Sequence, residues 1–250
     1  MDRWQILLGA LLLLLAGRVS AQEPSPLAPV VAEVGRLRLT EQHATIAIPD
    51  GWTRLESEIL ERINQAAAAQ SIPIRYFEAL VPHNQPDGAP VYALLQWEAR
   101  ATSLLTRERA EAEIRSNLEA SAVASAGGTR LRIDGPRFDW DKSRIDFETH
   151  QEIEGAVSIT RTTGHLGATG ILWVHCYPPV GNVSPGADDH ARSLTLIADS
   201  VRFDPEYVYS ESAAARRIPG TKGSVASWTI PGLLGAGLVV LLWWLWRRRT

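Results

Sequence analysis

Apolar and polar positions alternate with two different periods between residues 36 and 204, and this change of period predicts a mixed fold. Alternation at every second residue is typical of strands, while a spacing of three or four residues is typical of helices that bury one face. Strands are predicted around 37–39 and 46–48, and at 74–81, 91–97, 129–134, 143–153, 157–164 and 169–177.

Three stretches carry helical spacing. The first opens at the capping box Thr53-Arg54-Leu55-Glu56 and ends before Pro73, since proline cannot continue a helix. The second runs from about 106 to 124, and the third begins near Ser184 as the N-cap, with Pro185 at the first helical position. The positions predicted to face the core are Leu55, Ile59, Ile63 and Ala66 or Ala67 in the first helix, Ala110, Ile114, Leu118 and Ala122 in the second, and Ala187, Ala191, Leu194, Ile197 or Ala198, and Val201 in the third.

These elements predict a single domain over residues 36–204. Consecutive strands joined by short turns pair antiparallel, and amphipathic helices bury their apolar stripe against a sheet. The predicted fold is therefore α+β, with an antiparallel sheet covered by about three amphipathic helices. The chain has one cysteine, so no internal disulfide can form and the hydrophobic core must hold the domain together.

The hairpin made by strands 143–153 and 157–164 has two possible registers. A three-residue loop at Glu154-Gly155-Ala156 sets Ile153 opposite Val157, whereas a two-residue loop sets Glu152 opposite Val157 and mixes the faces. Since a slip of one residue moves every side chain to the other face, the longer loop is predicted. It creates an acidic, solvent-facing side on which Asp146, Glu148, His150 and Glu152 lie opposite Thr162, Thr160 and Ser158.

Two long apolar runs flank this domain. Residues 1–21 have the parts of a secretory signal peptide: Arg3, an apolar run at 6–16, and the small residues of Val19-Ser20-Ala21 before the cleavage point. At the other end, the 24 residues from Gly223 to Trp246 carry no charge. About 20 apolar helical residues cross the roughly 30 Å hydrocarbon layer of a membrane, so a transmembrane helix is predicted at 225–246.

The segments around the span set a predicted topology. Arg247, Arg248 and Arg249 follow it directly, and basic residues beside a span stay in the cytoplasm. Trp228 to Trp246 would thus anchor the chain in the cell membrane once, with the N-terminal domain outside the cytoplasm, in the bacterial periplasm, and the basic tail 247–250 inside. A Pro-rich linker at 22–35 and a polar stalk at 205–224 complete the predicted organisation. The alternative is an exported protein whose apolar and basic tail is a processed sorting signal.

Charge narrows the choice of partners. Residues 22–224 carry 20 Lys and Arg (the 25 of the whole chain less five in the end segments) and 27 Asp and Glu (28 less Asp2), for a net charge near −7. This balance argues against a nucleic-acid partner, which needs a basic surface. Arginine outnumbers lysine 23 to 2, which indicates the coding bias of a GC-rich bacterium.

The chain resembles the PsbP-like and DcrB-like proteins. The resemblance lies in the strand that ends in Ile48-Pro49-Asp50-Gly51-Trp52, the helix and long strands that follow, and the ending Ile197-Ala198-Asp199-Ser200-Val201-Arg202-Phe203. It implies an antiparallel sheet sandwiched by helices in a secreted or lipid-anchored protein, and it implies no shared catalytic residues. The predicted C-terminal anchor departs from that family's pattern.

The sequence contains no recognised catalytic or cofactor motif, so no cofactor is predicted. G-x-S-x-G, H-E-x-x-H, a phosphate-binding glycine loop and paired C-x-x-C are all missing from it. The metal candidates are Glu148, His150 and Glu152, which alternate on one strand face, and then Asp188-Asp189-His190. Acidic solvated strand faces are commoner than metal sites, so no metal site is predicted.

Two further residues could carry chemistry. Cys176 shares a strand face with Leu172 and Val174, which predicts a buried small side chain in preference to a nucleophile. His175 faces the other way, beside Trp173 and Tyr177 (an aromatic set), where packing beneath a helix is predicted.

Three function classes follow. The favoured one is a single-pass, membrane-anchored extracytoplasmic protein that is not an enzyme and that binds or assembles with a protein partner in the membrane or envelope. The second is the exported protein with a processed tail. The third is a metal-dependent hydrolase with an unrecognised site.

Overall fold

The computed structural model describes residues 33–69, 74–84, 91–99, 106–124, 130–153, 156–178 and 186–210. The strands within these residues are β1 Glu33–Leu39, β2 Ala44–Pro49, β3 Trp52–Arg54, β4 Tyr76–Pro82, β5 Tyr92–Ala99, β6 Arg130–Asp139, β7 Arg144–Ile153, β8 Ala156–Leu166, β9 Gly170–Tyr177 and β10 Arg202–Phe203. The α-helices are α1 Ser57–Ala69, α2 Arg107–Ala124 and α3 Ala187–Asp199, and a 3-10 turn follows at Pro205–Tyr207.

The strands form two antiparallel sheets. The larger sheet has seven strands in the order β3-β4-β5-β9-β8-β7-β6, and the smaller has the order β1-β2-β10. The α+β class, the antiparallel pairing and three helices confirm the prediction, whereas the single sheet was wrong. The second sheet forms because Ala44 and Ile46 of β2 are fully buried against the large sheet, which places β2 in a separate layer.

One side of the large sheet, called here the helical face, lies under α1 and α2. Helix α1 buries Leu60, Ile63 and Ala67 against the β4–β5–β9 part of the sheet. Helix α2 buries Ala110, Ile114 and Leu118, as predicted, against the side chains of Ile145, Phe147, Ile171 and Trp173. The ring of Trp173 lies over Gly164, where a Cβ atom would come within 2.4 Å of the ring.

The opposite side, called the mixed face, is covered by the small sheet and by α3. Leu172, Val174 and Cys176 of β9 pack there with Leu194 and Ile197 of α3. The structure therefore has three layers: two helices, the seven-stranded sheet, and a layer that combines α3 with the three-stranded sheet. Along β6, β7 and β8 the mixed face carries mainly charged and polar side chains.

The predicted capping box at Thr53 does not begin a helix. Thr53 and Arg54 belong to β3, where they lie opposite Val81 and Leu80 of β4, and α1 begins only at Ser57. The contact with β4 continues one residue past β3, where Leu55 N donates to the carbonyl oxygen of Ala79 at 2.9 Å, so this stretch stays extended.

Helix α3 begins at Ala187, and the residue before it is Gly186 in the left-handed conformation with φ 82°. The predicted cap at Ser184 and Pro185 lies outside the described residues. The buried residues of α3 are Ser193, Leu194, Ile197 and Ala198, and Val201 is buried just beyond its end.

The predicted register of the β7–β8 hairpin is wrong by one residue. Ile153 lies opposite Ala156, Glu152 opposite Val157, and Phe147 opposite Thr162 instead of Thr163. Thr160 and Thr162 therefore share the buried helical face, while the Val157 side chain is 47% exposed. The ion pair of Arg161 with Glu148, which lie directly opposite each other, favours this register over the one that alternation of apolar residues predicted.

The packed part of the chain extends beyond the predicted domain limits of 36 and 204. Strand β1 begins at Glu33, and Tyr209 is buried in the cluster beneath α2. The predicted segments 1–21, 225–246 and 247–250 lie outside the described residues, as does most of the predicted linker and stalk. Across the described ranges, none of the helices is long and apolar enough to cross a membrane.

Candidate functional site

A cleft of about 220 Å³ lies between α3 and the mixed face of β6, β7 and β8. We call it the charged cleft. It is lined on the strand side by Asp134, Arg137, Arg144, Asp146, Phe147, Glu148, Arg161, Thr162, Thr163, Cys176 and Pro178, and on the helix side by Ala191, Leu194, Thr195, Ala198 and Asp199. Its wall on α3 is thus mainly apolar, and its wall on the sheet is mainly ionic.

Strand alternation and one bulge bring the charged residues to the same face. Asp134 lies opposite Glu148, and Arg137 lies opposite Asp146, so β6 has one residue more than β7 between these two pairs. An extra residue in one strand returns the following side chain to the face that it would otherwise leave. The bulge contains Gly135, whose φ of 119° suits glycine, and a Cβ there would lie 3.0 Å from the carbonyl oxygen of Asp146.

Arg144 ties the sheet to α3. Its Nε atom donates to Asp146 Oδ2 at 2.7 Å, and its guanidinium also contacts the carboxylate of Asp199 at the end of α3. Thr163 Oγ1 donates to Asp146 at 2.8 Å. Partial burial acts to lower the pKa of Arg144, but the hydrogen bonds to both carboxylates hold that pKa above its usual value. An ionic contact therefore links β7 to the end of α3 beside the cleft.

The predicted set Glu148, His150 and Glu152 is only partly brought together. Glu148 accepts a hydrogen bond from Arg161 Nε at 3.0 Å, and Glu152 is exposed opposite Val157. His150 Nε2 lies 3.1 Å from Asp134 Oδ2 and 3.6 Å from Glu148 Oε2, without an aligned hydrogen bond to either. No group of three His, Cys, Asp or Glu residues in the described ranges has the arrangement of a metal site.

The second predicted set, Asp188-Asp189-His190, does not converge. Asp189 pairs with Arg192, and the His190 ring packs edge-on against Trp52 at 6.3 Å between centroids. Burial lowers the pKa of His190, and the nearby Asp189 only partly offsets this effect. His190 is therefore used for packing against β3.

Cys176 lies at the cleft floor but is not available as a nucleophile. Its side chain is buried, and Sγ donates to the carbonyl oxygen of Leu194 at 3.6 Å. Burial raises the pKa of the thiol to about 12, while a reactive cysteine needs a thiolate near neutral pH. This agrees with the buried side chain predicted from strand alternation.

His175 is fully buried on the helical face. Its Nδ1 atom lies 3.1 Å from Thr162 Oγ1 and its Nε2 atom 3.3 Å from Gln96 Oε1, so both ring nitrogens have partners. The ring also meets Tyr76 edge-on at 5.8 Å. Burial lowers the pKa of His175 to about 3, which makes it a neutral core residue.

Sequence reasoning missed His165. Its Nε2 atom lies 2.8 Å from the carbonyl oxygen of Ala198, so this buried ring reaches the last turn of α3. Burial lowers its pKa to about 4. Strand alternation from Arg161 and Thr163 could have placed His165 on the mixed face, but not beneath α3.

The charges that line the cleft are paired except at one position. Asp146 and Asp199 bind Arg144, Glu148 binds Arg161, and Asp134 binds Arg132 at 2.8 Å. Arg137 is exposed and makes no ion pair or hydrogen bond within the described part of the chain. It lies opposite Asp146, which shares the single charge of Arg144 with Asp199, so the lining as a whole has no surplus positive charge.

Comparison with known proteins adds little to this geometry. No protein-family model matches the chain, and no curated protein matches it. The solution structure of cyanobacterial PsbP (CyanoP) from Synechocystis sp. PCC 6803 matches over 73% of this chain and 98% of that chain, with 9% identity and a TM-score of 0.44. This similarity is too low to assign the chain to a family, so the resemblance to the PsbP-like and DcrB-like proteins stays a prediction.

Proposed function

We propose that this chain is a membrane-anchored, extracytoplasmic binding or assembly protein that acts without catalysis, and that its partner docks at the charged cleft. The proposal rests on one observation: the side chains that could act in catalysis are buried, whereas charged side chains are accessible. Cys176, His165 and His175 are buried and hydrogen-bonded inside the fold, while an accessible ionic surface gathers beside α3. That surface suits recognition, and the buried groups serve packing.

The described surface also favours a polar, non-obligate contact. Among the described residues, the large apolar side chains with high exposure are Val157 at 47% and Val208 at 46%. Permanent interfaces are apolar over a large area, whereas non-obligate interfaces are about as polar as the rest of a protein surface. The expected partner therefore binds through charge and shape at the cleft.

The anchoring part of the proposal is supported by the two ends of the sequence. The signal-like residues 1–21 and the uncharged run up to Trp246 are the parts of a single-pass protein with its domain outside the cytoplasm. The alternative, a processed sorting signal, uses the same apolar run and basic end. A metal-dependent hydrolase is less favoured because Glu148 is already paired with Arg161.

The test is crosslinking in cells that express the full chain with an affinity tag inserted near Ala214. Thr195 is exposed on the α3 wall of the cleft, so Thr195→Trp fills the cleft without changing its charge. The matched control is Gln65→Trp at an exposed position of α1, on the other side of the sheet. We expect one dominant envelope partner to be captured with the wild type and the control, and most of it to be lost with Thr195→Trp.

The same preparation also tests whether the chain is anchored in the membrane by its C-terminal segment. An intact C-terminus in the membrane fraction supports the anchor, whereas a mature form that ends before Trp228 would establish the processed tail. Equal capture by the two tryptophan variants would show that the partner does not use the cleft. Absence of any captured partner, with the protein abundant and intact, would overturn the assembly function itself.

A further inference from the structure

We propose that β6 pairs antiparallel with β6 of a second copy of this chain, about a two-fold axis that passes beside Ile133. The seven-stranded sheets of the two copies then join edge to edge into one continuous sheet. This contact uses the outer edge of β6, whereas the docking of an envelope partner uses the cleft between the sheet and α3.

The outer edge of β6 has no neighbour among the described strands. β6 is the last strand of the large sheet and pairs with β7 on its inner side. The backbone N–H and C=O groups on the outer side of an end strand can pair with a strand from another chain. β6 has ten residues, whereas the end strands β3 and β10 have three and two, so β6 offers a longer edge than they do.

The order of charges along β6 fits a copy of itself. Arg132 and Asp134 lie on the mixed face, and Ile133 between them lies on the helical face. A two-fold axis beside Ile133 sets Arg132 opposite Asp134 of the other copy, and symmetry repeats this pair on the other side of the axis. Side chains directly opposite each other in an antiparallel pair interact, and opposite charges stabilise the pairing.

The neighbouring registers set like charges opposite each other. Side chains that lie opposite each other share a face, so the axis must pass beside a residue and not between two residues. An axis beside Leu131 sets Arg130 opposite Arg132 of the other copy. An axis beside Arg132 or beside Asp134 sets that side chain opposite its own copy. Of these registers, the one centred on Ile133 pairs opposite charges without a like pair.

The side chains that would meet across the axis are accessible. The Arg132 and Asp134 side chains are 68% and 41% exposed, and Arg132 Nη2 donates to Asp134 Oδ2 at 2.8 Å. In the paired sheets two guanidiniums and two carboxylates would alternate, so each charge gains a second partner of opposite sign. Ile133 is partly buried against the cluster beneath α2, and its own copy would extend that apolar contact across the edge.

The other long end strand, β1, does not fit a copy of itself in this way. Arg36 and Arg38 flank Leu37 there, so an axis beside any of these three residues sets arginine opposite arginine. In β6 the usable edge is also limited, because the bulge at Gly135 and the missing N–H of Pro136 end the regular ladder. The pairing therefore covers residues 131–135 of each copy, which is the length of an ordinary strand.

The test is disulfide crosslinking, with copper phenanthroline as the oxidant, in membranes of cells that express the full chain. Ile133→Cys places two thiols beside the axis, where opposite Cα atoms lie roughly 4.5–5.5 Å apart, within the range that a disulfide spans. Leu131→Cys is the matched control on the same strand and face, but its two copies would lie about 14 Å apart. We expect a disulfide-linked dimer with Ile133→Cys, and none with Leu131→Cys or with the wild type, whose Cys176 is buried.

Charge reversal in the Ile133→Cys chain tests the register. Arg132→Asp sets carboxylates opposite each other and should slow dimer formation about 10-fold, and Asp134→Arg should do the same by opposing arginines. The two changes together restore the pairs with exchanged signs and should restore the rate. A disulfide yield no higher than that of Leu131→Cys, or a double variant that stays as slow as the single ones, would overturn the proposal.

Self-pairing and partner docking can fail separately. Thr195→Trp fills the cleft from α3, away from the outer edge of β6, and should leave the Ile133→Cys crosslink unchanged. Crosslinking that persists when no envelope partner is captured would support self-pairing and reject the docking function. Partner capture without any Ile133→Cys dimer would reject self-pairing and leave the docking function standing.

Discussion

The two faces of the seven-stranded sheet treat polar side chains in opposite ways. On the helical face, His175 is buried beneath the helical layer and hydrogen-bonds the buried side chains of Gln96 and Thr162, one at each ring nitrogen. On the mixed face along β6–β8, charged side chains remain accessible and are satisfied by ion pairs such as Arg161–Glu148. One face therefore buries its polar groups within the fold, and the other leaves its charged groups accessible at the surface.

The difference follows from coverage. Two helices cover the helical face, whereas α3 and the small sheet leave part of the mixed face open. A buried polar group without a partner is costly, while an exposed ion pair contributes little to stability. Substitutions on the helical face should therefore change stability strongly, and those at the exposed ion pairs of the mixed face should change it little.

The largest effect is expected at Trp173, whose ring is fully buried on the helical face. Trp173→Ala leaves a cavity next to Gly164 and Phe147, and also removes the hydrogen bond from Nε1 to Glu98 at 3.0 Å. Replacing a buried Trp by Ala typically costs about 3–5 kcal/mol of unfolding free energy. Denaturant unfolding followed by near-ultraviolet circular dichroism measures this loss, and a value below about 1 kcal/mol would mean that the helical face is not the tightly packed side.

The next effect is a loss of stability in mild acid. His165 and His175 have pKa values lowered by burial to about 4 and about 3, against 6.5 for the unperturbed side chain. Between these pKa values the two histidines bind protons in the unfolded chain but not in the folded chain. Their protonation therefore costs no unfolding free energy above pH 6.5, and the unfolding free energy decreases as the pH falls towards the pKa values of the folded state. At about 1.4 kcal/mol per pKa unit, the whole range corresponds to roughly 3 kcal/mol for His165 and roughly 5 kcal/mol for His175.

The window between pH 6.5 and 5 isolates the histidines from most carboxylates, which titrate lower. His175→Gln keeps groups that can bond Thr162 and Gln96 but cannot be protonated in this range. We expect the slope of its unfolding free energy against pH to correspond to the uptake of one proton fewer on unfolding than in the wild type. Parallel pH curves for the two proteins would show that His175 is not held neutral by burial.

The smallest effect is expected at Arg161 on the mixed face. Its side chain is 54% exposed and pairs with Glu148, and an exposed ion pair is worth less than about 1 kcal/mol. Arg161→Gln should therefore leave the unfolding midpoint nearly unchanged in the experiment that measures Trp173→Ala. A loss as large as that of Trp173→Ala would erase the distinction between the two faces.

The sequence predicted the buried positions of the helical face well, because the spacing of apolar residues follows the side of an element that is buried. The buried positions Ala110, Ile114 and Leu118 of α2 follow directly from helical period, and the placement of Cys176 and His175 on opposite faces follows from strand period. The local pattern was sufficient for these positions, because the period of a helix or strand decides which of its side chains share a face.

The mixed face was harder to predict because its arrangement depends on long-range pairs. Asp199 meets Arg144 across 55 residues, and no local spacing indicates such a contact. The bulge at Gly135 reverses the face of Arg137, so simple alternation would misplace it. The β7–β8 register failed for a related reason, since buried threonines and an exposed Val157 contradict the usual order of hydropathy.

The end of the described chain gives the domain a mechanical property. After β10, the backbone crosses the β8–β9 turn, where Gly167 and Val208 form a bridge and Ala168 N donates to the carbonyl oxygen of Tyr207 at 2.7 Å. Asp204 is held by Arg38, and the Tyr207 ring stacks on His43 at 3.6 Å. Tension applied at Ser210 is therefore spread over both sheets at once, and the two-residue strand β10 is shielded from being peeled away first.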